Sequence, residues 1–358
     1  MVNSLLKHLL ITLIIISLIA SILYTATVSR ADSGSPILTI KADGSIDPPA
    51  TSIQQLSSNL YVLTKDINSV LDGIKIERDN ITLDGQGHIL HGSSTTSTVG
   101  VYLQNRSNVR IINLKITEFY YGLELDSVQN IELAHSIIEA NLGDGVYLNA
   151  ASNNSLTNNA VMMNSADGIF LYWSSNNNQI SSNIIRGNNY RGIDLFSACG
   201  NNTIYGNYVA YNNGTGIYLS GSSDNKVFQN NFIDNAQQID VFLSYNTLDN
   251  GYPSGGNYWS DYNGTDNNGD GIGDAKYVIN VNNTDNYPLI SPWQTTSKGD
   301  VNHDGAVDVY DAILLAAAYD SNSAAPNWNP NADLNQDNCI DIFDALILAA
   351  NFGKTVAA

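Results

Sequence analysis

A four-residue pattern of glycine, aliphatic, any residue and leucine recurs six times between Gly100 and Leu219, at intervals of 22 to 24 residues. The copies begin at Gly100, Gly122, Gly145, Gly168, Gly192 and Gly216, and a degraded copy, Ile239-Asp-Val241, closes the series. A second pattern runs between the glycines, best preserved as Ile180-x-x-Asn183-x-Ile185-x-x-Asn188. A fixed period this short is the mark of a solenoid. A leucine-rich repeat has a similar period but needs a helical segment in each unit, and no amphipathic helical run occurs here. The units read instead as short strands of period two, broken by Asn, Gly and Ser clusters. Three strands and three turns per coil predict a mainly β chain folded as a parallel β-helix, with coils stacked at the strand spacing of ~4.8 Å. Equivalent positions then form ladders. Asn141, Asn164, Asn188, Asn212 and Asn235 make one, and Asn159, Asn183, Asn207 and Asn230 another. Asn suits these turns because it tolerates the left-handed region, and stacked Asn side chains can bond one another.

The formal net charge is −19 although only 14% of residues are charged. That balance argues against nucleic acid and anionic membrane surfaces as partners, and it suits a chain that binds Ca²⁺ through Asp-rich runs. The two cysteines, Cys199 and Cys339, fall in separate predicted domains, so no disulfide framework is expected. Residues 1–31 have the form of a secretory leader: Lys7, an uncharged stretch from Leu9 to Tyr24, and Ser29-Arg-Ala31 as a small-residue cleavage site. An uncleaved anchor is the alternative, and beyond this leader no membrane partner is expected. The predicted β-helix occupies 32–292, a linker 293–298 and a final module 299–358.

The region from Pro36 to Asp79 is expected to cap the first coil, because an open solenoid end exposes core and strand edges. Asn80-Ile-Thr-Leu-Asp-Gly-Gln-Gly-His-Ile-Leu90 comes next, with a tight-turn Asp-Gly and alternating apolar residues. Near the far end stand Gly256-Asn-Tyr-Trp-Ser-Asp-Tyr262 and Asp285-Asn-Tyr-Pro-Leu289. Together with the coils, these segments resemble the NosD-type right-handed β-helix family over roughly 36–292. The resemblance implies the fold. The family spans maturation factors, surface proteins and presumed polysaccharide enzymes, so it implies function only loosely. Copper, which the family name suggests, has little to bind: His88 and His91 are the only clustered histidines, without a nearby Met or Cys.

The last module carries two Ca²⁺-type loops. In the first, Asp300, Asn302, Asp304, Asp308 and Asp311 stand at positions 1, 3, 5, 9 and 12, with Ala306 offering its carbonyl and Gly305 making the turn. Asp333, Asn335, Asp337, Asp341 and Asp344 repeat the spacing, with Cys339 at the carbonyl position. Each loop runs into an apolar helix, expected over Val309–Tyr319 and Ile342–Phe352. Two loop-helix units of this kind resemble a type I dockerin. The resemblance implies Ca²⁺ as cofactor and a cohesin module of a scaffold or surface protein as partner. By position, Val309-Tyr310 and Ile342-Phe343 match the family's recognition pairs. A third run places Asp266, Asn268, Asp270 and Asp274 at positions 1, 3, 5 and 9, with Tyr277 at position 12. It reads as a lone Ca²⁺ site or as a metal-free turn.

In Gly-Ile-x-Leu the aliphatics point inward, so the x residues stack on the outside. These are Tyr102, Glu124, Tyr147, Phe170, Asp194, Tyr218 and Asp240. Aromatic rings broken by carboxylates suit a polysaccharide surface, and an ordinary sheet stripe of β-favouring aromatics is the alternative. Asp144, Asp167 and Arg191 precede successive glycines and are expected beside the stripe, with Tyr172 and Trp173 adding aromatic surface. With Asp194 they are the candidates for hydrolase or lyase chemistry, since neighbouring-coil acids raise one another's pKa. No residue set forms a complete active site, and a non-catalytic adhesin or sugar-binding module is the competing expectation.

Overall fold

The computed structural model describes residues 37–293, 299–301, 307–322, 325, 327–329, 332–334 and 339–353. The expected leader and residues 294–298 of the linker lie outside them. The described residues form a parallel β-solenoid followed by two short helices. Three long sheets run along the solenoid, of ten, nine and nine strands. The first sheet carries the glycine motif, in strands Val99–Gln104, Tyr121–Asp126, Val146–Asn149, Ile169–Tyr172, Ile193–Phe196, Thr215–Ser220 and Gln237–Phe242. Each pairs in parallel with the next coil, and the registers keep motif positions opposite one another: Leu125 faces Leu148, and Phe170 faces Asp194.

Period two explains what is inside. Leu103, Leu125, Leu148, Leu171, Leu195 and Leu219 form one fully buried column, and Ile169, Ile193 and Ile217 belong to another. The motif glycine is required by close approach. A Cβ on Gly168 would lie 2.7 Å from both Ile185 Cγ2 and the Gly192 carbonyl oxygen, and 2.8 Å from Asn188 Nδ2. Apolar column and asparagine ladder together fill the space that any side chain would need.

Both expected asparagine ladders are present, but not as left-handed turn residues. The ladder asparagines are buried in the interior, and the left-handed residue is the one before each: Asn158 before Asn159, Ser182 before Asn183, Tyr211 before Asn212. The preceding residue turns the chain so that the next amide points inward. There, Asn183 donates its backbone N–H (2.9 Å) and Nδ2 (3.0 Å) to Oδ1 of Asn207, and Nδ2 also donates to the Leu156 carbonyl (2.8 Å). Each amide thus ties three coils together. A third ladder, which the sequence reading missed, runs through Asn154, Asn178, Asn202, Asn225 and Asn246.

The segment expected to cap the first coil already contributes coil strands: Leu38–Ile40 pairs in parallel with Ile74–Ile76 on the first sheet. At the start, Ile53–Ser57 and Leu60–Leu63 form an antiparallel hairpin on the second sheet. At the far end, the buried Trp259 stacks between Phe232 and Tyr277, with ring centroids 4.6 and 4.8 Å away. Its Nε1 donates to Asp285 (2.9 Å), which also accepts from the Asn257 N–H (2.7 Å) and so terminates a ladder.

In the final module the helices span Val309–Ala318 and Ile342–Asn351, each one residue shorter than expected. Tyr319 and Phe352 are the C-caps. Asp308 and Asp341 are the N-caps, in capping boxes closed by Asp311 and Asp344. A two-strand ribbon pairs Ser321–Asn322 with Cys339–Ile340. The Gly353 N–H donates to the Val307 carbonyl (2.7 Å), which fastens the C-terminal end to the first loop.

Candidate functional site

The outer face of the first sheet carries three rows of side chains. The central row is the expected one: register pairs Tyr102 with Glu124, Glu124 with Tyr147, Tyr147 with Phe170, Phe170 with Asp194, Asp194 with Tyr218, and Tyr218 with Asp240. The row before it holds Tyr121, Asp144, Asp167, Arg191 and Thr215, and the row after it Gln104, Asp126, Asn149, Tyr172, Phe196, Ser220 and Phe242.

Rings make a continuous diagonal across these rows. Tyr121 stacks on Tyr147 (5.0 Å), Tyr147 meets Phe170 (5.5 Å), Phe170 meets Tyr172 (5.8 Å), and Tyr172 stacks on Phe196 (6.1 Å). Trp173 adds an edge contact at 6.1 Å and is largely exposed. Tyr121 and Phe196 were not singled out in the sequence. A period of two could have found Phe196, two residues after Asp194, but not Tyr121, which stands three before Glu124, next to the motif glycine Gly122.

Glu124, Asp144 and Asp167 on this face resist ionisation. Burial pushes Glu124 up to about 7, with the charges of Asp126 and Asp72 adding to it. Burial likewise raises Asp144 to about 7 and Asp167 to about 6. Oδ1 of Asp144 accepts the Asp167 N–H (2.9 Å), and Oδ1 of Asp167 accepts the Arg191 N–H (2.8 Å). They therefore continue, in carboxylate form, the inter-coil bonding of the asparagine ladders.

Asp194 departs from expectation. It belongs to the outer row but is 2% exposed, sealed beneath Arg191. Arg191 donates to Oδ2 of Asp194 and to the Tyr190 hydroxyl (2.9 Å), and its guanidinium lies between the Tyr218 ring (3.8 Å) and the Tyr190 ring (4.4 Å). Burial raises Asp194 to about 7 against the lowering influence of that cation. Its Oδ1 has no hydrogen-bond partner.

The acidic run does not gather its carboxylates. Asp266 accepts N–H bonds from Gly269 (2.7 Å) and Gly271 (2.8 Å), which hold it below the usual carboxylate range. Asn268 accepts from the Asp270 N–H (3.1 Å), Asp270 from the Ile272 N–H (2.9 Å), and Asp274 from the Asn267 N–H (3.0 Å). Tyr277, at position 12, hydrogen-bonds Asp261 (3.0 Å).

In the final module, Asp300, Asp308, Asp311, Asp333, Cys339, Asp341 and Asp344 are described, whereas Asn302, Asp304, Ala306, Asn335 and Asp337 lie outside the described residues. Asp311 and Asp344 are fully buried. Asp311 accepts from the N–H groups of Val301 and Asp308 (both 2.7 Å), and Asp344 from those of Leu334 and Asp341 (both 2.8 Å). Each position-12 carboxylate is thus clamped at the mouth of its loop. The oxygen donors that the spacing of each loop offers are of the kind Ca²⁺ takes. On the helices, Tyr310 and Phe343 are exposed, Ile342 less so, and Val309 is half-buried.

Residues 51–264 match the family described as "Periplasmic copper-binding protein (NosD)". The chain belongs to the NosD family. Residues 298–352 match the type I dockerin domain, so this NosD-family chain carries a dockerin; such domains bind calcium and attach their carriers to cohesin-bearing complexes. No curated protein matches. Among solved structures, a mutant of the periplasmic alginate epimerase AlgG is 15% identical, with TM-score 0.38 over 56% of this chain and 69% of that one. The Azotobacter vinelandii mannuronan C-5 epimerase AlgE4 A-module is 15% identical, with TM-score 0.35 over 52% and 61%. Pectate lyase Pel9A is 16% identical, with TM-score 0.35 over 55% and 61%.

The copper of the family name does not fit the residues present. His88 Nδ1 faces Asp66 at 3.1 Å and His91 Nε2 faces Glu118 at 3.3 Å, so the two imidazoles serve different acids. Burial raises the Cys199 thiol to about 11, away from the thiolate that copper would need. Among the described residues no three His, Cys, Asp or Glu side chains converge as a metal site. No helix of the described residues is long and apolar enough to cross a membrane.

Proposed function

We propose that this chain is a secreted polysaccharide-recognising β-helix protein, carried into an extracellular complex by Ca²⁺-dependent docking of its dockerin on a cohesin. The observation that carries the carbohydrate half is the aromatic diagonal Tyr121–Tyr147–Phe170–Tyr172–Phe196, flanked by Glu124, Asp126 and Asn149. Sugar rings stack on such faces while carboxylates and amides take their hydroxyls. The partner half rests on the dockerin itself and on the exposed Tyr310 and Phe343, repeated once on each helix. Each loop holds its exposed ring at the loop–helix junction, where Ca²⁺ fixes its direction.

A catalytic variant of this reading is favoured by Glu124. It sits between Tyr102 and Tyr147 in the central row, is partly solvent-accessible, and ionises near 7. A carboxyl of that kind holds a proton at neutral pH and can serve as general acid for glycosidic cleavage. Asp144, Asp167 and Asp194 are the remaining acids of the face, with Arg191 its cation.

The test is a triple replacement of Tyr147, Phe170 and Tyr218 by Ala, read by affinity electrophoresis through polysaccharide gels. Retardation should fall at least tenfold in strength while the β-rich circular dichroism stays unchanged. Equal retardation of wild type and variant removes the carbohydrate face. Reducing-sugar release or unsaturated-product absorbance then separates catalysis from binding: turnover abolished by Glu124→Gln supports the enzyme, and binding without turnover leaves a recognition module.

A further inference from the structure

The outer face of the first sheet is short of cations. From Val99 to Ser220 its three rows carry Glu124, Asp126, Asp144, Asp167 and Asp194 as acids, and Arg191 as the only cation among the described residues. That cation is already engaged. One guanidinium nitrogen donates to Asp194, another to Tyr190, and both ring neighbours press on its faces. At the N-terminal end of the sheet, Lys75 is likewise held by Glu77 at 2.8 Å.

The acceptors are in the opposite condition. Asp144 and Asp167 each commit one oxygen to a backbone N–H. Asp194 is sharper still: one oxygen meets Arg191, and the other is buried with nothing donating to it. An acceptor left so is destabilising, and a second negative charge brought against it adds repulsion in a poorly hydrated site. Divalent cations, which could bridge an anionic ligand to these acids, have no seat here, since no three carboxylates on this fully described face converge.

We propose that the face takes an uncharged, hydroxyl-rich polysaccharide, and that it discriminates against uronate and sulfated chains through its excess of acids over cations. This deepens the carbohydrate reading above and rests on it. Neutral sugar hydroxyls can donate to these acids without adding negative charge. Glu124 and Asp126 lie on the strand before Tyr147, opposite Tyr147 and Asn149; Glu124 is the accessible acceptor, while Asp126 already accepts from Gln104 (2.7 Å), Ser127 (2.9 Å) and Asn149 (3.2 Å). A uronate chain brings more acceptors and more negative charge, with no free guanidinium or ammonium to meet them.

The experiment is a glycan microarray probed with the Ca²⁺-loaded full chain at about pH 7.5, carrying neutral glucans, mannans, xylans and galactans beside polyuronate and sulfated oligosaccharides. Hits are then measured by calorimetry. The expected result is binding confined to neutral chains, at least tenfold tighter than to any anionic one. In the paired variant Glu124→Lys/Asp126→Lys, that preference should fall at least tenfold. Should this variant fail to fold, the salt dependence of the wild type decides: neutral binding changes less than twofold between 50 and 500 mM NaCl. Tighter binding of a uronate or sulfated chain than of any neutral one overturns the charge argument and leaves the carbohydrate face standing. Absence of binding to every glycan overturns both.

Discussion

The solenoid and the dockerin both bury polar side chains at their turns, but with opposite chemistry. The solenoid uses amides. Asn183 is acceptor through Oδ1 and donor through Nδ2, so identical residues stack and satisfy one another from coil to coil. The dockerin uses carboxylates. Asp311 and Asp344 are buried acceptors, and a carboxylate has no proton with which to satisfy a second carboxylate. An amide ladder can therefore close on itself, whereas a carboxylate loop needs a cation from outside. The comparison predicts, within one chain, a part that folds on its sequence alone and a part whose fold depends on Ca²⁺.

Removing Ca²⁺ should have the largest effect and should fall on one side only. Without the cation the Asp side chains of each loop repel, and the two ten-residue helices have little core to resist it. EDTA should abolish the helical circular dichroism while leaving the melting transition of the solenoid within a few degrees. Elemental analysis should give two Ca²⁺ per chain, with one lost in each of Asp300→Ala and Asp333→Ala. Full helicity in EDTA would break the contrast.

The converse change is Asn183→Ala in the middle of a ladder. It removes two donors and one acceptor, leaves the Asn159 N–H without its partner, and leaves Asn159 Nδ2 with only the Leu133 carbonyl. A loss of roughly 2–4 kcal/mol from the solenoid is expected from buried groups left unmade. Chemical denaturation followed by β-sheet signal measures it, and Ca²⁺ uptake should not change. A loss below the error of that measurement would mean that buried water replaces the amide.

The repeat was legible because an identical period fixes register: one glycine and one leucine per coil place every central-row residue, from Tyr102 to Asp240, by spacing alone. Their place directly before the motif glycines Gly145 and Gly168 likewise put Asp144 and Asp167 beside that row. Packing across coils was harder to read. The sequence does not distinguish the turn-making Asn158 from the interior Asn159, since both are Asn and only the backbone sign separates them. Asp194 has the outward parity of its neighbours, yet the long Arg191 side chain folds over it, a contact that no periodicity encodes. The helix starts were legible to the residue, because the capping boxes are local, with Asp308 and Asp341 three positions before their partners.

Between the two regimes lies the short carboxylate ladder of Asp144 and Asp167, built with acids inside the part of the molecule that otherwise uses amides. Their folded pKa values, about 7 and about 6, lie above the ordinary 3.8. Such groups bind protons more tightly in the folded state, so the stability they contribute is present in full below about pH 4 and is lost as pH rises through 6 to 7. The dockerin has the opposite sign, since its carboxylates must ionise to hold Ca²⁺ and acid releases it. Acidification should therefore raise the solenoid's melting temperature while lowering the dockerin's. Asp144→Asn isolates the cause: its Oδ1 still accepts the Asp167 N–H, but nothing remains to ionise. At about pH 8 this variant should be more stable than wild type by on the order of 1–3 kcal/mol, discounting the full pKa difference for residual solvation. Near pH 4 the two should coincide. If the variant is no more stable at pH 8, the strain attributed to the buried acid is absent, and the distinction between self-closing amides and needy carboxylates would not extend into the solenoid.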